Sequence, residues 1–307
     1  MSLHIETPLL ESRALSRRLN KPVWLKMEAL QPTGSFKARG IGHACTIHKE
    51  RGAVRFVSSS GGNAGLAVAY SGRKLGVPVL VVVPETTSAR ARELIAMEDA
   101  EIVVHGKSWQ DANEFALATC KDTDAFIHPF DDPLLWQGHA SMIDEVARDG
   151  VKPGVVVLSV GGGGLLCGVV EGLRRNGWHD VPVIAAETLG ADSYARALQA
   201  GHRVELEAIT SIATSLGARS VCEEALAKAR QHPIESVVVS DAQAVAGCIR
   251  LLDEHRMLVE PACGASVAAL EGGAKAFAGA ASALVVVCGG VGVNTSQLLR
   301  WRADYGV

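Results

Sequence analysis

The 307-residue chain predicts an α/β fold of two open, twisted, mostly parallel sheets. Short runs of β-branched residues recur along it, separated by stretches long enough to hold a helix. The runs are continuously apolar rather than alternating, as expected of strands covered on both faces. Eight such runs exceed one compact sheet for this length, so two α/β domains are expected.

In order, the strand candidates are Val54–Val57, Val77–Val83, Ile102–Val104, Ala125–Ile127, Val155–Leu158, Val183–Ala186, Val237–Val239 and Leu284–Val287. The segments between them, such as Ala64–Leu75 and Ala89–Met97, have helical composition, and Ser88 is placed to cap the second. Candidate boundaries lie near Arg39-Gly40 and near Asp131-Asp132-Pro133. They assign residues 1–40 and 134–307 to a large domain and 41–133 to a small one. A cleft between two such domains collects residues from several strand ends.

Composition narrows the function. Hydrophobic residues make up 48% of the chain, which excludes disordered and collagen-like classes. The net charge is −3 with the signs mixed, so nucleic acid is not the expected partner and a small molecule is. The first residues, Met1–Pro8, lack a basic stretch followed by an apolar one, so no signal peptide is read, and no apolar run is long enough to span a bilayer. Seven cysteines without a Cys-x-x-Cys pair fit free thiols in a reducing cytoplasm. The ten histidines show no zinc-type spacing.

Four motifs carry chemistry. Pro32-Thr-Gly-Ser-Phe-Lys-Ala-Arg39 puts Lys37 among small and apolar residues. Desolvation there lowers an amine's pKa and frees its lone pair, as a Schiff-base lysine requires. The plainer alternative is a lysine at a helix start after a turn. Ser58-Ser-Ser-Gly-Gly-Asn-Ala-Gly65 follows a strand candidate and opens a helix. Its small residues let backbone N–H groups converge on a carboxylate or phosphate, with Asn63 adding an amide; a simple cap is the alternative. Gly161-Gly162-Gly163-Gly164 also lies between strand and helix, so the backbone can approach an anion unobstructed. Leu166 and Cys167 stand where a dinucleotide fingerprint needs glycine, and no Gly-Lys-Ser/Thr follows, so this is a phosphate loop of neither kind unless it is only a structural turn. Finally, Cys288 precedes Gly289-Gly290 at a strand end, either facing the cleft or packed as a small core thiol.

Taken together these motifs resemble the fold-type II enzymes that use pyridoxal 5′-phosphate. The combination is most similar to the serine/threonine dehydratases, and close to their mammalian-type L-serine dehydratase branch. The resemblance runs from Thr7-Pro8-Leu9 through Ser35-Phe36-Lys37, Ser60–Gly65, Gly161–Leu165, Glu187-Thr188 and Glu260-Pro-Ala-Cys-Gly264 to Cys288-Gly289-Gly290. It implies that Lys37 holds the cofactor, with Phe36 against its ring and Asn63 on its 3′ oxygen. Gly161, Gly162, Gly163, Gly164 and Leu165 would bind the phosphate, and Cys288 would face the pyridine nitrogen. Ser60, Gly61, Asn63 and Ala64 would take the substrate carboxylate. It further implies a monovalent cation, usually potassium, at Glu187, Ala191 and Ser193 with the carbonyls of Leu216 and Ala218. Glu187 paired with a lysine or arginine is the alternative. A homodimer is the assembly expected.

The reaction so implied is β-elimination from L-serine, and from L-threonine, giving pyruvate or 2-oxobutanoate and ammonia, with Lys37 removing the Cα proton. A thiol at the ring nitrogen cannot hold a proton there as a carboxylate would, which favours elimination over transamination. Serine racemases carry a serine where this chain has Gly61, and the mammalian-type dehydratases usually an alanine. Glycine there leaves no second base, so racemisation should be slow. A β-replacement lyase similar to cysteine synthase and a non-catalytic protein binding the same cofactor are the alternatives.

Overall fold

The structure, a computed structural model, describes residues 2–307. In chain order its elements are β1 (Leu9–Glu11), α1 (Arg13–Leu19), β2 (Val23–Lys26), α2 (Lys37–Glu50), β3 (Arg55–Ser58), α3 (Asn63–Leu75), β4 (Val79–Val83), α4 (Ala89–Ala96), β5 (Glu101–Val104), α5 (Trp109–Thr119), β6 (Asp124–Phe126) and α6 (Pro133–Arg148). Then come β7 (Val156–Ser159), α7 (Gly164–Arg175), β8 (Val183–Thr188), α8 (Ser193–Ala200), α9 (Glu223–Gln231), β9 (Ile234–Val239), α10 (Asp241–His255), α11 (Pro261–Glu271), α12 (Lys275–Gly279), β10 (Ala283–Val286) and α13 (Thr295–Tyr305).

Among the described residues the strands form two sheets, ordered β1-β2-β10-β7-β8-β9 and β5-β4-β3-β6. Neighbouring strands are parallel except β1 and β2. Every residue of the inner strands β4, β7, β8 and β10 is buried, whereas the edge strand β5 is partly exposed. That explains the continuous runs: a parallel strand with helices on both faces has no polar side. The fold class is as the sequence predicts. The Val77–Val83 run enters its strand only at Val79, because Pro78 has no N–H; its carbonyl accepts from Phe56 N at 2.9 Å. Ser88 caps α4, its side chain accepting from Ala91 N at 3.2 Å.

Two strands, β1 and β2, escape sequence reading, and the reason is electrostatic. Lys26 ends β2 and is fully buried. Its Nζ lies 2.5 Å from Glu145 Oε2 and donates to the carbonyl of Thr7 at 2.6 Å. Arg39, also fully buried, donates from Nε and Nη2 to Glu28 at 2.7 and 2.8 Å. It donates from Nη1 and Nη2 to Glu145 at 2.6 Å each. Two cations and two carboxylates thus cancel in the interior, and a charged residue in a short run reads as surface when it is core. The network ties α2 to β2, to the turn at Glu28 and to α6. Just beyond it, α2 and α6 touch through backbone: a Cβ on Gly138 would lie 2.6 Å from Arg39 O and 2.7 Å from Gly40 Cα. The first turn of α2 is therefore fixed against α6 by backbone contact as well as by the ion network.

Candidate active site

Lys37 is the first residue of α2, so both sequence readings of it hold: it starts a helix after a turn, and its amine is desolvated. Its Nζ donates to the carbonyl of Pro129 at 2.5 Å and lies 5.1 Å from the centroid of the Phe36 ring. Burial pushes the amine down to about 8, against a small opposing effect of Cys288. The positive end of the helix dipole acts in the same direction as burial. Phe36 in turn packs against His139, ring centroids 4.9 Å apart. Burial, then Lys37 and Arg39, hold that imidazole well below its usual pKa, and its Nδ1 accepts from Gly40 N at 3.2 Å. The wall beside Lys37 is thus neutral and aromatic.

The turn before Lys37 is laced to the Cys288 loop. Phe36 N donates to Cys288 O at 3.0 Å, and Gly290 N to Gly34 O at 2.8 Å. Cys288 Sγ, nearly buried, lies 3.1 Å from Cys263 Sγ and 3.6 Å from Ser159 Oγ. Of the two cysteine readings, one does not exclude the other: the thiol is buried and stands at the end of β10 beside the lysine turn. The same loop reaches Asn63, whose Oδ1 accepts from Val291 N at 3.1 Å.

Asn63 opens α3, and the preceding Gly62 offers no side-chain cap; Ser60 N and Gly62 N donate to the hydroxyls of Ser58 and Ser60 at 3.4 Å each, while the N–H groups of Gly61, Asn63 and Ala64 have no acceptor among the described residues. A Cβ on Gly65 would lie 1.7 Å from Ser60 O, so the chain must double back tightly there. Gly61 is packed rather than loose. A Cβ at this position would meet Thr87 at 2.6 and 2.7 Å and Val83 at 3.2 Å, so any side chain here would have to displace Thr87.

Gly161–Gly164 lead from β7 into α7, whose cap, Gly163, has φ +95° and no side chain to satisfy the helix start. Among the described residues nothing accepts from the N–H groups of Gly161, Gly162 or Gly163. The ring of Phe130 lies on this loop: a Cβ on Gly162 would come within 2.3 Å of it. Unpaired N–H groups, a cradle that any side chain would fill and a depressed amine in reach fit a phosphate-bearing aldehyde.

Comparison with known proteins agrees. The family described as "Pyridoxal-phosphate dependent enzyme" matches residues 1–289. The bovine protein named "L-serine dehydratase/L-threonine deaminase" is 45% identical, over 99% of this chain and 97% of that one. The mouse protein named "Serine dehydratase-like" is 48% identical, over 99% and 95%. A fungal L-serine ammonia-lyase from Rhizomucor miehei superposes with a TM-score of 0.93 at 34% identity, covering 99% of this chain and all of that one. The chain belongs to the pyridoxal-phosphate dependent enzymes, in their serine/threonine dehydratase family.

Of the candidate cation residues, Leu216 lies against the tetraglycine loop. A Cβ on Gly161 would be 3.1 Å from Leu216 Cα. Glu187 does not pair with a basic residue, as the alternative sequence reading had it. Its two oxygens accept from Tyr194 N and Ala195 N at 2.8 Å each, across the start of α8. Burial pushes this carboxyl up to about 8 despite those two bonds. Ser193 Oγ and Asp192 Oδ1 are buried nearby with no partner among the described residues. Ala191 sits in the same turn, and Ala218 N donates to Leu216 O at 2.8 Å. Two carboxyl groups, Glu187 and the Arg196-paired Asp192, thus share this turn with the Ser193 hydroxyl.

Sequence reading missed the segment His128–Asp132, which it took only as a boundary. Its Pro129 carbonyl holds the lysine and its Phe130 covers the tetraglycine loop. His128 Nδ1 accepts from Phe130 N and Asp131 N at 3.2 and 2.8 Å, and Trp136 Nε1 donates to Phe130 O at 2.9 Å. Pro-Phe-Asp-Asp-Pro reads as a turn; nothing in it announces that the turn lies across the cleft floor. Glu260 was read only as part of the resemblance, and its carboxylate meets Asn63 directly.

Proposed function

We propose that this enzyme is an L-serine dehydratase that also takes L-threonine, releasing ammonia and a 2-oxo acid. The observation that carries the reading is that the depressed amine of Lys37, the unpaired N–H groups of the tetraglycine loop, the Asn63 amide and Cys288 are linked through their chain neighbours: Lys37 bonds Pro129 beside the Phe130 that lies on Gly162, Phe36 N bonds the Cys288 carbonyl, and Val291 N bonds Asn63. When bound, pyridoxal phosphate supplies an aldehyde that captures an amine and a ring that draws electrons from Cα. Lys37 holds the cofactor and, once freed, removes the proton at the substrate Cα; an amine poised near 8 is a competent base close to neutral pH. Gly161, Gly162, Gly163, Gly164 and Leu165 bind the phosphate, and Phe36 flanks the ring. Asn63 donates to the ring oxygen and Cys288 stands at the ring nitrogen. Ser60, Gly61, Asn63 and Ala64 orient the substrate carboxylate, and with glycine at 61 no second base faces Lys37. The neutral wall of Phe36 and His139 beside the amine limits competition from water for the proton.

The proposal extends to residues 1–40 and 134–307 as the cofactor domain around the larger sheet, with 41–133 around the smaller. It also includes potassium at the Glu187 site, a homodimer and a cytoplasmic setting; seven free thiols favour the last. No helix among the described residues is long and apolar enough to cross a membrane. The test is product analysis with purified enzyme. L-serine should give pyruvate and ammonia, and L-threonine 2-oxobutanoate, with D-serine at least about a hundredfold slower for want of the second base. Formation of cysteine from serine and sulfide in preference to pyruvate would replace this reading with a β-replacement lyase.

A further inference from the structure

Glu260 is a buried carboxylate that no basic group balances. It is 7% exposed, and burial raises its pKa; the groups acting against that are Ser215, Gly292 N and Asn63, all uncharged. It occupies the cap position of α11, ahead of Pro261, yet its side chain caps nothing there. Pro261 holds Glu260 in the extended region, φ −73° and ψ 158°, so the carboxylate leaves the helix and turns into the cleft. Room for it is cut from the opposite loop. A Cβ on Gly290 would lie 2.1 Å from its Cδ, and one on Gly292 2.8 Å from Oε1. A charge kept in such a place without a counter-ion works against stability by itself, and that points to function.

What it does follows from its partners. Gly292 N donates to Oε1 at 2.7 Å, and Asn63 Nδ2 lies 3.1 Å from both carboxylate oxygens. Val291 N donates to the other end of the same amide, Asn63 Oδ1, at 3.1 Å. A carboxylate only accepts and a backbone N–H only donates, so the amide of Asn63 has one allowed orientation. Equal distances to the two oxygens are those of a single N–H shared between them, which leaves the second N–H of Nδ2 free.

We propose that Glu260 is a positioning residue that locks Asn63 so that it presents an N–H, never its carbonyl, to the ring oxygen of pyridoxal phosphate, and that its charge favours the protonated form of the bound cofactor. This rests on the reading of Asn63 as the group that meets that oxygen. Glutamine at 260 would bring one acceptor and one donor where two acceptors are needed. Its NH₂ would oppose either Asn63 or Gly292, and the amide clamp would open.

The test uses the pyridoxal phosphate-loaded enzyme and four variants: Glu260→Gln, Glu260→Asp, Asn63→Ala and the Glu260→Gln/Asn63→Ala double. Two quantities are read: the affinity for pyridoxal phosphate, by absorbance titration of the apoprotein, and the pH midpoint of the bound cofactor's visible band. The other titratable groups facing this region are Lys37, Cys288, Cys263, Cys248, His128 and His139, and they are the same in every variant. Glu260→Gln should weaken cofactor binding about tenfold or more, the scale of a lost charge-assisted hydrogen bond. It should lower the midpoint by about one pH unit, since a nearby anion stabilises the protonated form. In the Asn63→Ala background the added affinity loss should shrink to about twofold or less, because coupled groups do not add. Glu260→Asp keeps the charge on a shorter arm, so it should retain the midpoint while losing affinity. That variant decides the matter if the glutamine one fails to fold. If Asn63→Ala weakens binding while neither Glu260 variant changes affinity or midpoint, the role of Glu260 is refuted and that of Asn63 stands. If Asn63→Ala itself leaves affinity unchanged, the underlying reading of Asn63 fails, and this inference with it.

Discussion

Removing the lysine proposed to hold the cofactor should make the cofactor-free protein more stable. Lys37 is half-buried beside Phe36 with one acceptor, the carbonyl of Pro129, and no carboxylate. Its amine titrates at about 8 in the fold against 10.5 when free. At about 1.4 kcal/mol per unit, holding it protonated in the folded state costs up to about 3 kcal/mol at neutral pH. Methionine in its place removes that cost and forfeits one hydrogen bond worth about 1 kcal/mol, leaving a net gain near 2 kcal/mol. For a chain of this size that is roughly 3–5 °C in Tm. The sign with pH is fixed. The folded pKa lies below the unfolded one, so the penalty is fully present below about 8 and is relieved as pH climbs towards 10.5. The Tm gap between Lys37→Met and the wild type should therefore be widest at pH 7 and close by pH 10. Other groups that titrate in alkali are common to both proteins and cancel. The assay is calorimetry of both apoproteins at one scan rate from pH 7 to pH 10. Equal Tm values at pH 7, or a gap that does not change with pH, would show that the amine is not held desolvated, and its reading as the cofactor-binding base would lose its physical basis.

Two further outcomes follow from contacts described above. Gly162→Val should give a folded protein that loses pyridoxal phosphate on dialysis, because its side chain must displace the Phe130 ring, which a Cβ alone would approach to 2.3 Å; the ratio of visible to protein absorbance checks this. Arg39→Met leaves Glu28 and Glu145 facing Lys26 alone in a dry interior, and should cost about 3–5 kcal/mol by urea denaturation.

The sheets and most of the cleft could be read from sequence because their signals are local. A strand buried on both faces is a run of β-branched residues, and an anion loop is a run of glycines between a strand and a helix. Asn63, Gly161–Gly164 and Cys288 each sit in or beside such a run, and Lys37 in a stretch of small and apolar residues. The resemblance supplied what spacing could not, namely which loop is expected to meet which part of the cofactor. What stayed hidden is pairwise. Lys26 and Arg39 look like surface charges until Glu28 and Glu145 are brought across from the next turn and from a helix 106 residues beyond Arg39. Pro129 and Phe130 act through a carbonyl and a ring face, and neither has a sequence signature.

The same distinction explains why Glu260 and Asn63 belong together although 197 positions separate them. A helix cap predicts its own helix, and by that rule Glu260 should serve α11. The glycines at 290 and 292 belong to a different element, and their missing side chains are what admit the carboxylate to Asn63. A glycine run at a strand end thus has two physical readings: backbone N–H groups left without an acceptor, as at Gly161–Gly163, and room for another side chain, as at Gly290. Only the positions of the neighbours separate the two, so the Cys288-Gly289-Gly290 motif announced a site without naming the residue that fills it.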